Sequence, residues 1–302
     1  MNEKVVLVTG ASRGIGRAIA TRLAAEGMRV FGTSRTPQVD ALDGFSLLPL
    51  DVTSDESAAA CVADVIARAG RIDVLVNNAG IELIGAAEEC SLEDARWLFD
   101  TNFFGAARMV KAALPGMRAR QNGQIILISS ALGRASFPFE SFYCASKAAL
   151  EAYAESLRYE MNIFNIRVST IQPGYFHTEI AKRQRIASDR LPVYDGPRER
   201  FIYWNEFAIE HAPEPTAVAD KVLAVIRQDR PRLRHPVGLE AKLAPPLAHL
   251  LPEAILIKGG RLLLGIDDPW RELLRLARAG AVGAIALALL RRGLRSVRAR
   301  RS

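Results

Sequence analysis

The chain has 302 residues, 49% of them hydrophobic and 24% charged, with a formal net charge of +7. That size and balance suit one large α/β domain or two small ones with a sizeable core, and exclude a low-complexity chain. The positive excess belongs to residues 269–302, where nine Arg face one Glu. The body is left near neutral, which excludes a general nucleic-acid-binding role for it.

Cys61, Cys90 and Cys144 are odd in number and lack metal-ligand spacing, so neither a disulfide framework nor a metal site is expected, and the compartment reads as reducing and cytoplasmic. No uncharged apolar run approaches the ~20 residues that span a bilayer. Val5 to Val8 is too short for a signal peptide.

Lys4 to Val8 reads as a buried parallel strand, short, β-branched and without alternation. Thr9-Gly10-Ala11-Ser12-Arg13-Gly14-Ile15-Gly16 follows, then a helical pattern through Ile19, Leu23 and Ala24. Glycines at 10, 14 and 16 allow a tight strand-to-helix turn that a pyrophosphate can approach closely. The helix N-terminus then offers N–H groups and a positive dipole end to that anion. The spacing is GxxxGxG, unlike the GxGxxG of most dinucleotide folds.

Met28 to Thr33 is the second strand, ending in Ser34-Arg35. An acid at this position binds the adenosine ribose hydroxyls, whereas an Arg accommodates a 2′-phosphate. Arg35, with Arg13 inside the glycine turn, predicts NADP(H); the alternative is two merely exposed arginines. Phe45 to Val52 gives a third strand ending in Asp51-Val52, and Ser54 caps a helix through Ala69. Ile72 to Val76 is the fourth, leading to Asn77-Asn78-Ala79-Gly80.

A long helix is predicted from about Ser91 to Ala119 with Asn102 in its middle. Asn is a weak helix former whose amide competes for backbone groups. Asn102 is therefore either an exposed neutral position or a placed functional group. Gln124 to Ser130 is the fifth strand, Tyr143 to Phe164 the next helix, and Arg167 to Gln172 the sixth strand, ending in Pro173-Gly174-Tyr175-Phe176-His177-Thr178. Residues 175–215 are aromatic-rich, weakly periodic and broken by Pro192, Gly196 and Pro197, which reads as a lid or binding loop. Thr216 to Arg227 is again helical. This βα alternation predicts a doubly wound parallel sheet with ligands beyond the carboxyl ends of its strands.

Tyr143 and Lys147, four apart on a helix, stack one turn from each other. An isolated pair of this kind reads as a solvated face. Here Ser130, at a strand end 13 residues upstream, presents its hydroxyl to the same cleft. A cation beside a phenol favours the phenolate, so Lys147 is expected to lower the Tyr143 pKa and make it a general acid/base. Cys144 points about 100° away and reads as packing.

With these residues in place the chain resembles the short-chain dehydrogenase/reductase family over roughly residues 4–235. The motifs are TGASRGIG, DV, NNAG, the Asn of DTN, SS, YCASK and PGYFHT. The resemblance implies a Rossmann-like sheet of order 3-2-1-4-5-6-7 and hydride transfer between nicotinamide and a carbonyl or alcohol carbon. It implies that Ser130 binds the substrate oxygen, Tyr143 exchanges its proton, Lys147 holds the nicotinamide ribose and Asn102 supports a water-mediated relay. Gly10, Ser12, Arg13, Gly14, Ile15 and Gly16 would line the pyrophosphate turn. Ser34, Arg35, Asp51 and Val52 would hold the adenosine end, Asn78, Ala79 and Gly80 its flank, and Pro173, Gly174 and Thr178 the nicotinamide.

SSALGR, GTSR and PGYFHT look most like hydroxysteroid- and retinol-dehydrogenase-type members, and the aromatic lid suggests a bulky apolar substrate. His177 either touches that substrate or faces solvent. The rival readings are a non-catalytic NADP(H)-binding sensor or scaffold, against which the intact Ser130/Tyr143/Lys147/Asn102 set argues, and a 3-oxoacyl-thioester reductase, which the long lid and tail disfavour.

The catalytic domain is drawn at residues 1–242 and a C-terminal extension at 243–302. The extension holds Ile255-Leu256-Ile257, Leu262-Leu263-Leu264, and Trp270, Leu273, Leu274 and Ala277 at helical spacing. Ala279 to Leu290 follows without a charge, then Arg291, Arg292, Arg295, Arg298, Arg300 and Arg301. Twelve residues make about 18 Å of helix, short of a ~30 Å hydrocarbon core. An apolar helix with a polybasic end suits an interfacial anchor to anionic lipid. The alternatives are a helix packed on the body or a contact in a homo-oligomer.

Overall fold

The computed structural model describes residues 3–180 and 184–266. In chain order, β1 (Val5–Val8), α1 (Gly14–Ala25), β2 (Arg29–Ser34), β3 (Ala41–Leu42), β4 (Phe45–Pro49) and α2 (Asp55–Ala69) come first. Next are β5 (Val74–Asn77), β6 (Leu83–Ile84), α3 (Leu92–Phe99), α4 (Gly105–Ala119), β7 (Gly123–Ile128) and α5 (Ser141–Asn162). Then follow β8 (Ile166–Pro173), β9 (Arg185–Ile186), α6 (Asp195–Glu210), α7 (Thr216–Ile226), β10 (Arg234–Val237) and α8 (Leu239–Leu250).

Seven strands run parallel in the spatial order β4-β2-β1-β5-β7-β8-β10, the predicted doubly wound 3-2-1-4-5-6-7. Every residue of β1, β5 and β7 is buried, as continuous apolar strands covered on both faces must be. One face packs Val62 and Val65 of α2, Met109 and Met117 of α4, and Leu150 and Leu157 of α5. The other packs Ile19 and Leu23 of α1 against Val218, Val222 and Val225 of α7. Burying each such side chain contributes about 1.5–3 kcal/mol, which fixes the strand ends relative to one another. Ser54 caps α2 as expected, accepting from Ser57 N–H.

Two expectations are corrected and one element is added. The helix drawn from Ser91 to Ala119 is two helices separated by a π-turn, Asp100–Phe104, that contains Asn102. Residues 175–215 are not a loop: β9 pairs in parallel with β6, and α6 runs for 16 residues. The α6 pattern is blurred because its aromatic residues face both ways, Phe201 buried and Tyr203, Trp204 and Phe207 exposed. The sheet also gains an antiparallel edge, β3, through a tight hairpin in which Asp43 and Gly44 both have positive φ, the Asp-Gly signature of such turns.

The chain divides into two units, Met1–Leu251 and Pro252–Ser302. In the second, α9 spans Glu253–Leu263. Trp270, Leu273, Leu274, Ala277, the Ala279–Leu290 run and the six arginines after it lie outside the described residues. Among the described residues no helix is long and apolar enough to cross a membrane.

Candidate active site

The carboxyl ends of β1, β5, β7 and β8 bring the expected site residues together. Lys147 is buried on α5, and its Nζ donates to Ile128 O of β7 at 3.0 Å and lies 5.8 Å from the centre of the Tyr143 ring. Ser130, just past β7, caps the 3₁₀ turn Ala131–Gly133, its Oγ accepting from Leu132 N–H at 3.1 Å. Gly80 faces the same space: a Cβ there would sit 3.4 Å from Asn102 Oδ1 and 3.6 Å from Lys147 Nζ.

Asn102 is not an exposed position. It is 1% exposed, its Oδ1 accepts from Ile81 N–H at 2.8 Å, and its Nδ2 donates to Ile81 O at 2.9 Å. Nδ2 also donates to Ser146 Oγ at 3.2 Å, and Ser146 Oγ donates to Tyr143 O at 2.8 Å. The π-turn, which is common at functional sites, thus ties the loop after β5 to the first turn of α5.

The electrostatics correct the expected action of Lys147. Burial pushes the Tyr143 phenol above its ordinary value; the Glu82 and Glu140 carboxyls push the same way, while a hydrogen bond with Ser130 opposes them. Burial brings Lys147 itself down to about 8, with Glu151 opposing. Lys147 remains mostly cationic at neutral pH, while desolvation and two nearby carboxyls hold the phenol neutral.

The glycine turn is built for close approach. Gly10 and Gly14 have φ of +67° and +53°, and a Cβ at Gly16 would collide with Gly10 O and Asn78 Nδ2. Asn78 Nδ2 donates to Thr9 O and Gly10 O at 3.0 and 3.1 Å, fastening the turn to the loop after β5. Thr9 Oγ1 accepts from the N–H groups of Asn78 and Ala79, both at 2.9 Å, and Thr33 Oγ1 from Gly10 N–H at 3.2 Å. These two threonines were not singled out by sequence reasoning, although Thr9 stands within the motif. Helix α1 starts at Gly14, after Arg13, with no side-chain cap on its first turn. Thr178 reaches the turn, its Cγ2 3.5 Å from where a Cβ of Gly14 would be.

Around this cradle, Ser12 and Ile15 are half-buried within the turn, Ser34 is half-buried at the end of β2, and Arg35 is exposed just beyond it. Asp51 is held below its ordinary value by the Thr53 N–H and hydroxyl, with Arg35 and Arg108 adding to the effect. Val52 is buried beneath it. Pro173 closes β8, and Gly174 N–H donates to Val237 O at 2.8 Å. A bare turn and helix start with a cationic rim fit a nicotinamide dinucleotide. His177 is exposed with its Nδ1 3.1 Å from Glu210 O. It lines a groove of about 910 Å³ beside Arg13, Arg17, Thr178 and Glu206, a groove that does not include Tyr143.

Residues 4–189 match the short chain dehydrogenase family. A 3-ketodihydrosphingosine reductase of Bacteroides thetaiotaomicron is 41% identical over 187 residues, 62% of this chain and 69% of that protein. Human retinol dehydrogenase 8 is 36% identical over 259 residues, 78% of this chain and 82% of that protein. The crystal structure of a short-chain dehydrogenase from Streptomyces avermitilis superposes with a TM-score of 0.75 at 35% identity, covering 88% of this chain and 99% of that one. With its parallel sheet, glycine turn and Ser130/Tyr143/Lys147 cleft, the chain belongs to the short-chain dehydrogenase/reductase family, oxidoreductases of alcohol and carbonyl groups that bind a nicotinamide cofactor.

Proposed function

We propose that the protein is an NADP(H)-dependent oxidoreductase that interconverts a carbonyl and an alcohol on a lipophilic molecule, with Tyr143 as the acid/base. The observation that carries this reading is the meeting of Ser130, Tyr143, Lys147 and Asn102 beside the glycine cradle. Bound there, the nicotinamide cofactor would supply the hydride.

Gly10, Gly14, Gly16 and Thr178 would hold the cofactor's phosphates and nicotinamide end, and Arg35 and Arg13 its 2′-phosphate. Ser130 orients the substrate oxygen by hydrogen bonding, and Tyr143 exchanges the proton at that oxygen. A phenol kept neutral by burial holds the proton that a ketone oxygen takes up on reduction. Lys147, with its Nζ anchored on Ile128 O, keeps a positive charge beside the ring. Asn102 holds the loop and the helix that carry these groups.

The lipophilic substrate is supported by the rings of Phe137, Phe139 and Phe201, in which Phe139 and Phe201 stack at 5.9 Å. Two relatives carry retinol and 3-ketodihydrosphingosine in their names. All three cysteines are buried and free, as suits a reducing cytoplasmic compartment. The test is a screen of aliphatic, steroid and retinoid ketones with NADPH and NADH, followed by loss of reduced-cofactor absorbance. No turnover by the wild type, or equal turnover by Tyr143→Phe, overturns the reading.

The apolar run 279–290 and the six arginines after it support an interfacial attachment to anionic lipid. Co-sedimentation with phosphatidylserine vesicles, full chain against a truncation after Asp268, checks it, and equal partitioning refutes it.

A further inference from the structure

The buried face of α5 carries a third polar group beyond the two already described. Tyr143, Lys147 and Glu151 follow at intervals of four residues, so they stack along one face of the helix, one turn apart. Lys147 is 5% exposed and Glu151 4% exposed. A carboxylate enclosed to that degree is costly unless it is paired. Glu151 has no role in the reading above.

Its partners come from the edge of the sheet. Glu151 Oε2 accepts from Arg234 Nε at 3.1 Å and from the Thr170 hydroxyl at 3.3 Å. Arg234 opens β10 and stands opposite Thr170 of β8 in the parallel register. Its Nη2 donates to Glu155 Oε2 at 2.7 Å, one turn further along α5, and both of those side chains are half-buried. The guanidinium thus clasps two successive turns of the catalytic helix. The other oxygen, Glu151 Oε1, is sealed from water and accepts from none of the described residues. Glu151 and Lys147 share a helix face at the Cβ spacing of about 5–6 Å that one turn gives.

Lys147 meets groups from several elements. β7 offers the Ile128 carbonyl, to which Nζ donates at 3.0 Å, the loop after β5 offers Gly80, and α5 offers the ring of Tyr143. Glu82 and Glu140 act on the Tyr143 phenol, whereas the carboxylate that acts on Lys147 is Glu151, itself bonded to Arg234 of β10. Lys147, Glu151, Arg234 and Glu155 form a row of alternating sign that leads from the cleft to the surface.

Taking Lys147 as part of the proton-exchanging set, we propose that Glu151 and Arg234 are positioning residues for it. Glu151 backs the ammonium from one turn away and keeps it cationic, and Arg234 ties that carboxylate to β10 and shares its charge.

The experiment is the melting temperature against pH, across the neutral and alkaline range, of wild type, Glu151→Gln and Arg234→Gln, each with and without Lys147→Met. The difference within each pair isolates what Lys147 contributes. Folded Lys147 sits at about 8, below its ordinary 10.5, so its penalty is full below pH 8 and fades as pH rises towards 10.5. The onset of that fading marks the Lys147 titration. Glu151→Gln removes the carboxylate and moves the onset down by about one pH unit or more, which is what a unit charge at this range is worth in a partly buried setting. Arg234→Gln removes a cation and leaves the carboxylate to Lys147, so the onset moves up.

Opposite displacements are what coupling through charge requires, and a merely structural role does not produce them. An onset unmoved in Glu151→Gln, or displaced the same way in both variants, overturns the proposal. Should Glu151→Gln fail to fold, Arg234→Gln at the half-buried edge decides alone: an upward onset supports the coupling, and an unmoved or lowered one refutes it. With NADPH and a reducible ketone, kcat/KM falls above the same onset and follows the same displacements. Absence of ketone turnover sinks the activity reading alone, and the melting series still decides the coupling.

Discussion

Asn102 satisfies both backbone polar groups of Ile81, accepting from its N–H at 2.8 Å and donating to its C=O at 2.9 Å. A side chain on the π-turn thus does for the loop after β5 what a neighbouring strand would do. The loop so held carries Gly80, beside Lys147, and Glu82, beside Glu140.

Asn102→Ala leaves Ile81 N–H and C=O unpaired where little water reaches them, and frees Ser146. Each such orphan costs about 1–3 kcal/mol, so a loss of about 2–4 kcal/mol is expected in urea unfolding. Turnover falls with it, because Ser146 no longer ties α5 to the π-turn.

Tyr143→Phe removes a hydroxyl and leaves the ring packed against Ile81 and Leu83. A lost general acid costs roughly 10²–10⁴-fold. A fall of that size in kcat is expected, with the dissociation constant for NADPH unchanged by fluorescence titration.

Lys147→Met separates stability from activity. Lys147 lies below its ordinary value of 10.5, at about 8, so the folded protein binds fewer protons than the unfolded chain between those values. Its penalty is full below pH 8 and fades as pH rises towards 10.5. The Met variant, isosteric and uncharged, is expected to be more stable than wild type by about 1–3 kcal/mol at pH 7, by thermal melting. That advantage shrinks above pH 8, and catalysis is lost.

Arg35→Ala tests cofactor choice. Arg35 is exposed at the end of β2 and acts on Asp51 across the mouth of the glycine turn. Losing a charge-assisted phosphate contact costs about 1.5–3 kcal/mol. The Michaelis constant for NADPH is expected to rise about ten-fold or more while that for NADH barely moves.

The sheet and the glycine turn were legible because buried parallel strands and a Gly-rich strand-to-helix turn each write a local pattern. So was α5, where Tyr143 and Lys147 sit one turn apart. The π-turn at Asn102 was not, since one inserted residue shifts an apolar period by less than ordinary scatter. Glu82 and Glu140 stayed hidden because a lone Glu in sequence reads as solvated, and only the fold brings two distant ones together. Asp43-Gly44 did carry a visible hairpin signal, which passed unread between two longer elements. Helix α6 was missed because Phe201 and Ile209 face inward while Tyr203, Trp204 and Phe207 face out, leaving no apolar stripe.

An ion pair near the start of α6 has a kinetic consequence. Arg198 of α6 is paired with Glu89, both side chains fully enclosed, and Glu89 also accepts from Leu191 N–H at 2.9 Å. Breaking such a pair strands a charge away from water. Lifting α6 from the segment that carries Glu89 therefore strands both charges, which makes this attachment slow to open.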